Sequence, residues 1–349
     1  MKSRFVRSAG LAASAAAGLA LVLSACSAAQ PTNGKPHVAG SPGGSGSNRA
    51  STDPTAPSTA ATSASPTKPA LPVSKVHVSG YPDGQTVGVG MPIIATFNKK
   101  ITNAKDFAKD TTVTVNGKVV HGGWYFEYSD PASGHVMEAH YRLPQYWPAH
   151  AHIHVAFHLK GVPAGIYHRH RMVFDGALTS LDFHSGARNI GIVNDATHRL
   201  TIRSDGKFYG RFPVSLGAPQ TPTFRGIKVI MEQLPTVCMT NIRHTYHECG
   251  IKWDQRLTYS GEYLHSAPWN CIGPAGCTGP EDNIGRADSS NGCTNLLPDV
   301  AYRLYRFLHV GDVIEYPNAS GPPMTLARGY GDWNLSWSQW QTGGALSTQ

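Results

Sequence analysis

Two separated residues, Cys293 and His265, have the side chains that nucleophilic catalysis requires. Cys293 lies in the segment SNGCTN at residues 290–295, and His265 begins the segment HSAPW at residues 265–269. A thiol becomes a strong nucleophile when a base removes its proton, and imidazole is well suited to that near neutral pH. If the fold brings the two together, the pattern predicts a cysteine acyl-transfer enzyme.

The N-terminal segment predicts export. Basic residues are followed by an apolar run rich in Ala and Leu, which ends in Leu-Ser-Ala-Cys at Cys26. This order is typical of a signal peptide, here residues 1–25, and the run is too short to span a bilayer. Its end resembles the lipobox of bacterial lipoproteins, which implies a lipid on Cys26 and a location on the outer face of the cytoplasmic membrane.

The remaining cysteines decide whether Cys293 is available. Exported thiols oxidise, and the spacings suggest the pairs Cys238–Cys249 and Cys271–Cys277, although four cysteines allow three pairings. Cys271 and Cys277 could also form half of a metal site, but export favours disulfides, and we expect no metal. On this interpretation Cys293 is the free thiol.

The rest of the chain divides by composition. Residues 26–72 consist of small and polar residues with almost no large aliphatic side chains, which predicts a disordered tether with a span of about 40 Å. Short alternating segments and an Asn-Gly turn predict an antiparallel, immunoglobulin-like sandwich over residues 73–185. We expect a second β-rich domain at 186–317 and a Trp-rich tail at 318–349, giving a mainly β protein.

In residues 152–159, apolar side chains alternate with other residues, as in a strand that is buried on one face. The odd positions from Ile153 to Leu159 are apolar and should face a core, whereas His152, His154 and His158 should lie on the opposite, solvated face. Two histidines on one strand face could bind a metal ion, but this run contains no carboxylate or cysteine to complete such a site.

One helix and one tail segment have recognisable patterns. After Cys293, Asp299 could cap a helix with apolar residues at 300, 304, 307 and 308 that stops at Gly311. This would leave the thiol in the loop before a helix. In the tail, Trp333, Trp337 and Trp340 have the spacing of one helical face, which we expect to dock near the domain junction.

Charge excludes some functions. The net charge is +8 and falls to +5 once the three basic residues of the predicted signal peptide are removed. This mild excess suits an acidic cell-wall polymer. The sequence lacks a basic cluster interleaved with aromatic residues, a phosphate-binding loop and a dinucleotide fingerprint, so we expect neither nucleic acid nor a cofactor.

Four motifs, in order, resemble those of actinobacterial, mycobacterial-type L,D-transpeptidases, which are lipoproteins with an immunoglobulin-like domain and a YkuD-type catalytic domain. They are GQTVGVG at 84–90, YSG at 259–261 leading to HSAPW at 265–269, SNGCTN at 290–295 and GDWN at 331–334. The resemblance implies an enzyme that attacks the third residue of a peptidoglycan tetrapeptide stem, releases D-Ala, and passes the acyl group from a thioester to the diamino-acid amine of a second stem. The product is a 3→3 cross-link.

The resemblance also implies roles for individual residues. Cys293 is the nucleophile, His265 the general base, the carbonyl of Ser266 its orienting acceptor, and the N–H groups near Gly292 and Cys293 the oxyanion donors. Carbapenem inhibitors should acylate Cys293. The substrate-binding residues would be Met239, Tyr246, His247, Tyr259, Ser260, Gly261, Trp269, Ser290, Asn291 and Asn295.

Two departures from the family leave alternatives open. The family usually has histidine where this chain has Asn291, and asparagine cannot move a proton at neutral pH. The link at 270–289 is longer than usual and contains Cys271 and Cys277. The alternatives are an inactive wall-binding lipoprotein with a degenerate motif, or the same acyl-enzyme used for hydrolysis or protein anchoring. We expect a monomer.

Overall fold

The structure is a computed structural model that describes residues 70–129, 136–240, 247–268 and 283–347. The predicted signal peptide, Cys26 and most of the tether lie outside these ranges. The described residues all belong to one compact unit. Within them, no helix has the length and apolar character needed to cross a bilayer.

The N-terminal part of the described chain consists of short strands with one helix. Its elements are β1 Val73–Val76, β2 Val78–Tyr81, β3 Thr86–Val87, β4 Ile93–Phe97, α1 Ala104–Lys109, β5 Thr111–Val115, β6 Lys118–Val119, β7 Gly123–Glu127, β8 Met137–Arg142, β9 His152–Phe157, β10 Pro163–Tyr167, β11 His170–Phe174 and β12 Ser180–Ser185. Two sheets, with strand orders β2-β4-β8-β7 and β3-β12-β9-β5-β6, share one apolar core, and β1-β11-β10 form a third. Most pairs are antiparallel as predicted, but β1 with β11 and β3 with β12 are parallel.

Aromatic rings fill the core between these sheets. Phe107 of α1 is fully buried, and its ring centroid lies 5.2 Å from Phe97, 5.0 Å from Trp124 and 5.8 Å from Phe126. Asn103 caps α1 by accepting a hydrogen bond from the N–H of Asp106. The helix therefore places one phenylalanine at the centre of the sandwich.

The alternation predicted for β9 is confirmed. Ile153, Val155 and Phe157 are buried, as is Leu159 beyond the strand, and the histidines lie on the other face. His152 and His154 both bind one oxygen of Asp182, at 3.1 and 2.9 Å. This carboxylate comes from the neighbouring strand β12, so the run itself could not reveal it.

The C-terminal part of the described chain contains two further sheets. Its elements are β13 Asn189–Asn194, β14 Arg199–Ser204, β15 Lys207–Pro213, β16 Gly226–Val229, β17 Glu232–Thr240, β18 His247–Arg256, β19 Tyr263–Ser266, β20 Thr294–Leu296, α2 Pro298–Phe307, β21 Val313–Tyr316 and α3 Trp337–Trp340, with 3-10 turns at Asp195–Thr197, Leu326–Arg328 and Asp332–Asn334. The strand orders are β15-β14-β13-β21-β16 and β17-β18-β19-β20.

Helix α2 packs against β18 and β19 and buries Val300 and Leu304, as its pattern predicts. Its predicted ends were wrong. The N-cap is Leu297, no side chain caps the helix, and Asp299 lies within the first turn, because Pro298 can start a helix without needing its missing N–H. The helix ends at Phe307, before Gly311.

The tryptophan tail does not form one helix. Trp333 lies in a 3-10 turn, whereas Trp337 and Trp340 lie in α3, because the chain turns out of helical geometry at Leu335. The three rings nevertheless gather around the guanidinium of Arg142 on β8, with its carbon 4.9, 5.4 and 4.5 Å from their centroids. Through these rings the tail packs on the N-terminal domain.

Two of the glycine motifs position the domains. Gly88 and Gly90 donate to the carbonyls of Val310 and Gly311 at 2.8 and 2.9 Å, and a Cβ at Gly88 would lie 2.1 Å from the backbone nitrogen of Asp312. Only glycine permits so close an approach. In the GDWN motif, Asn334 exchanges two hydrogen bonds with the backbone of Ile227 on β16.

Candidate active site

The register of two parallel strands brings the histidine and cysteine segments together. In the β19–β20 ladder, Leu264 lies opposite Thr294 and His265 lies opposite Asn295. Cys293 immediately precedes β20, one residue before Thr294. The register therefore brings the cysteine segment next to the strand that carries His265.

His265 is held as a neutral base. It is 3% exposed, and its Nδ1 lies 2.9 Å from the carbonyl oxygen of Ser266, so Nδ1 carries the proton and Nε2 carries a lone pair. Burial lowers the pKa of His265 to about 4, against the opposing effect of the Ser266 carbonyl. The imidazole is uncharged at neutral pH and can accept a proton. The acceptor predicted to orient His265 is thus in contact with it.

Cys293 is the one free cysteine among the described residues, and it is 7% exposed. Its sulfur donates to the carbonyl oxygen of Gly261 at 3.5 Å. Burial raises the pKa of the Cys293 thiol to about 12, and the nearby carboxylates of Glu262 and Asp254 act in the same direction. The resting site therefore holds a thiol and an imidazole, both uncharged.

Side-chain hydrogen bonds fix the loop before Cys293. Ser290 Oγ donates to the carbonyl of Cys293 at 2.6 Å, and Thr223 Oγ1 donates to the carbonyl of Gly292 at 2.9 Å. Gly292 has φ of +112°, a conformation that side chains disfavour. Its N–H donates to Ser290 Oγ at 3.1 Å, so the prediction that this N–H is an oxyanion donor does not describe the resting loop.

The two asparagines of residues 290–295 differ in burial. Asn291 is exposed, so it lies outside the buried environment of Cys293 and His265. Asn295 is 3% exposed, and its Oδ1 has no hydrogen-bond partner among the described residues. Asn295 lies opposite His265 in the β19–β20 ladder.

A buried ion pair beside the cysteine loop was missed by sequence reasoning. Lys228 Nζ of β16 lies 2.5 Å from Glu262 Oε2, and Glu262 Oε1 accepts the N–H of Phe224 at 2.8 Å. Lys228 is fully buried and also lies 4.0 Å from the ring centroid of Tyr316. A Cβ at Gly292 would be 3.6 Å from Glu262, so the pair borders the loop. The only signal was a lysine within an apolar strand.

The strands before His265 carry the other predicted contacts. Tyr259 and Ser260 are exposed in the turn before β19, and Gly261 contacts the sulfur. The β17–β18 hairpin carries Met239 and the exposed His247, two of the predicted substrate-binding residues. Of the other predicted site and disulfide residues, Tyr246, Trp269, Cys271 and Cys277 lie outside the described residues.

A disulfide joins Cys238 and Cys249 across this hairpin, one of the pairings considered. His247 lies 3.3 Å from the Cys249 sulfur, and these three residues could together hold a metal ion only if the disulfide were reduced. None of the groups of described residues that could hold an ion includes Cys293 or His265.

Family models match both parts of the chain. The bacterial Ig domain model matches residues 49–163, and the L,D-transpeptidase catalytic domain model, YkuD, matches residues 188–315. The second match contains both His265 and Cys293.

Relatives agree with this division. L,D-transpeptidase 2 of Mycobacterium tuberculosis is 28% identical over 270 residues, which cover 75% of this chain and 60% of the relative. L,D-transpeptidase 5 of the same species is 30% identical over 274 residues, covering 76% of this chain and 55% of the relative. This chain thus spans little more than half the length of these two proteins.

A solved structure also matches. The LD transpeptidase LdtMt1, solved in complex with imipenem, has a TM-score of 0.52 and 26% identity, covering 71% of this chain and 100% of its own. Residues 188–315 of this chain therefore match the L,D-transpeptidase catalytic domain model, YkuD, and follow a segment that matches a bacterial Ig domain.

Proposed function

We propose that this chain is a peptidoglycan L,D-transpeptidase in which Cys293 is the nucleophile and His265 the general base. The observation that supports the proposal is the parallel β19–β20 register, which sets His265 opposite Asn295, two residues after Cys293, while the carbonyl of Ser266 contacts the His265 ring. This is a nucleophile–base–orienter arrangement whose third member is a main-chain carbonyl. The family match supports the substrate class.

In the first half of the reaction, His265 Nε2 takes the thiol proton as the sulfur bonds to the carbonyl carbon of the third residue of a tetrapeptide stem. Negative charge develops on the carbonyl oxygen, for which we assign the N–H of Cys293 as a donor. One such donor contributes about 3 kcal/mol in comparable sites. Collapse breaks the amide bond, and D-Ala leaves with the proton from His265.

In the second half, the side-chain amine of a neighbouring stem attacks the thioester carbon. His265 takes a proton from this amine and returns one to the departing sulfur. The amide that forms is the 3→3 cross-link, and the enzyme regains its neutral pair. Both steps need the same proton acceptor, because microscopic reversibility makes the base of one step the acid of the next.

Asn291 does not prevent this mechanism. Its side chain is exposed, whereas the imidazole that the mechanism uses is buried on β19, opposite Asn295. His265 also keeps the hydrogen bond that fixes its tautomer. The loop is shaped by Ser290 and Thr223, which leaves Asn291 without a required proton-transfer role.

The product formed from a defined donor tests this function. Purified chain is incubated with a disaccharide-tetrapeptide, and the products are separated and weighed, with Cys293→Ala as the matched control. We expect a cross-linked dimer and free D-Ala with the wild type and neither with the variant. Free tripeptide without dimer would instead indicate hydrolysis, and tripeptide attached to a protein would indicate anchoring.

A carbapenem distinguishes an inactive protein from one tested with the wrong donor. Because a related enzyme was solved with imipenem, we propose that this drug class acylates Cys293 of this chain. A single adduct by intact mass, absent in Cys293→Ala, is the expected result. A folded wild type that neither forms an adduct nor turns over the donor would favour the wall-binding alternative.

We also propose that the chain is exported and held at the outer face of the cytoplasmic membrane by a lipid on Cys26. Support comes from the order of basic, apolar and small residues before Cys26 and from the composition of the segment after it. Metabolic labelling with a palmitate analogue should mark the wild type and not Cys26→Ala. Equal labelling of both would contradict lipidation at this residue.

A further inference from the structure

Three ligand-type side chains converge on the outer face of the β7–β8 ladder. Glu127 of β7 lies directly opposite Glu138 of β8, and His140 lies two residues after Glu138 on the same face. The C-terminal segment covers this face and brings Asp332 to it. The group therefore lies where the Ig domain meets the end of the chain.

The distances within the group suit a shared ion. His140 Nε2 is 3.7 Å from Glu127 Oε1 and 3.9 Å from Glu138 Oε1, and all three potential ligand atoms lie within 4.8 Å of one another. These separations are too long for hydrogen bonds. Two ligand atoms about 2.1 Å from one tetrahedral zinc ion lie about 3.4 Å apart, so a small movement would bring these atoms into coordination.

The orientation of His140 is the second observation. Its side chain is 1% exposed, and its Nδ1 lies 2.7 Å from Oδ1 of the fully buried Asp332. The Nε2 atom is buried, has no hydrogen-bond partner among the described residues, and faces the two glutamates. Histidine ligands in metal sites have this arrangement, with one ring N–H given to a carboxylate and the other nitrogen aimed at the ion.

Charge balance favours a cation. Glu127, Glu138 and Asp332 surround a single imidazole, and like charges directly opposite on a ladder destabilise it. Even a protonated His140 would leave a negative excess. The neighbouring Arg142 donates to the carbonyl of Leu335 at 2.8 Å, lies over the faces of three tryptophans, and among the three carboxylates interacts electrostatically with Asp332.

An entry path is present. Glu127 lines a cleft of about 510 Å³ between β7 and the C-terminal segment, together with Tyr125, Tyr128 and Met324. An ion could reach the glutamate from this cleft and keep a water molecule as its remaining ligand. The sequence did not indicate such a site, because its residues come from two strands and a distant turn.

We propose that Glu127, Glu138 and His140 bind one zinc-type divalent ion, with Asp332 orienting His140 and water from the cleft completing the coordination. The ion would tie the Ig domain to the C-terminal segment that follows the catalytic domain. The existence of this site does not depend on the acyl-transfer function.

Titration of the full, disulfide-intact chain with Zn²⁺ after removal of bound metal tests the proposal. We expect one equivalent to bind, with affinity at least about tenfold weaker in His140→Ala and Glu127→Gln and about 10- to 100-fold weaker in Asp332→Asn. His154→Ala is the matched control, because it removes an exposed histidine that binds a carboxylate elsewhere in the same domain. It should bind as the wild type does.

Co²⁺ separates this site from sulfur ligation at Cys293 or at a reduced hairpin. The proposed site should give a visible ligand-field spectrum without the strong near-ultraviolet band of a cobalt–thiolate bond. If His140→Ala does not fold, the isosteric Glu127→Gln decides the outcome. A wild type that binds no equivalent, binding that persists in the folded variants, or a thiolate band would overturn the proposal.

Discussion

The interiors of the two domains differ in how many polar side chains they bury. The Ig-like core is almost entirely apolar, and Phe107 at its centre is surrounded by other rings. The catalytic interior also has apolar residues, but it buries Lys228, Glu262 and His265 near a free thiol. The first arrangement maximises burial of apolar surface, whereas the second accepts desolvated polar groups where chemistry is done.

The catalytic interior buries polar groups in two different ways, and each limits the cost of removing them from water. Lys228 and Glu262 stay together as a paired donor and acceptor at 2.5 Å, with further contacts to Phe224 and Tyr316. Cys293 and His265 instead remain uncharged, because burial moves their pKa values in opposite directions, away from each other. In the proposed mechanism, charge separates in this second pair only when a substrate carbonyl is present to accept the sulfur.

The largest effect should follow removal of the base. His265→Ala should lower the rate of Cys293 acylation by about 10²- to 10⁴-fold, because no group then takes the thiol proton. Stopped-flow or intact-mass kinetics with a carbapenem give the rate, and circular dichroism checks folding. Retention of the wild-type rate in a folded variant would remove His265 from the mechanism.

Phe107→Ala tests the contribution of the apolar Ig-like core. Truncating this fully buried ring should cost about 3 to 5 kcal/mol in the free energy of unfolding of the Ig-like domain. Under folding conditions the acylation rate of Cys293 should stay within about twofold of the wild type. The free energy is measured by chemical denaturation. A large fall in the Cys293 acylation rate, with an unchanged free energy of unfolding, would show that the Ig-like core influences the catalytic site.

Glu262→Gln tests the paired charges. Glutamine keeps the shape and can still accept from Phe224, but it leaves the buried Lys228 without an anion, at a cost of about 3 to 5 kcal/mol. The double variant Lys228→Met/Glu262→Gln removes both charges and should recover most of this loss. Denaturant midpoints provide the measurement. A single variant as stable as the wild type would mean that pairing contributes little here.

Asn291→Ala should have the smallest effect. The side chain is exposed, and the loop is held by other residues, so the acylation rate should change by no more than about threefold. Asn291→His, which restores the usual family residue, should likewise change little. A loss as large as that of His265→Ala would move the essential function to this loop position.

Much of the fold was predictable from local patterns. Alternation placed Ile153 and Phe157 in the core, and the segments around His265 and Cys293, chosen from their motifs, meet at the β19–β20 ladder. Two predictions about the fold failed, one on strand pairing over a long sequence distance and one on the start of a helix. The parallel register of β1 with β11 could not be read from either strand alone. The start of α2 was missed because Pro298 made a side-chain cap unnecessary.

The site was predictable only to the extent that its chemistry lay in motifs. The Ser266 carbonyl follows from the position next to His265, but Lys228 and Glu262 meet through tertiary packing and belong to no short pattern. The use of the Gly292 N–H by Ser290 also depends on loop geometry. Local sequence specifies which groups are present, and packing decides which of their hydrogen bonds are already made.

The pH dependence of carbapenem acylation tests the neutral pair most directly. The pKa of His265 is about 4 and that of Cys293 is about 12, so neither group titrates at neutral pH. The wild-type rate should therefore stay within about threefold from about pH 6 to about pH 9. In His265→Ala, where solvent must form the thiolate, the rate should rise about tenfold per pH unit. A wild-type rate that climbs with this same slope would contradict general-base activation of Cys293 by His265.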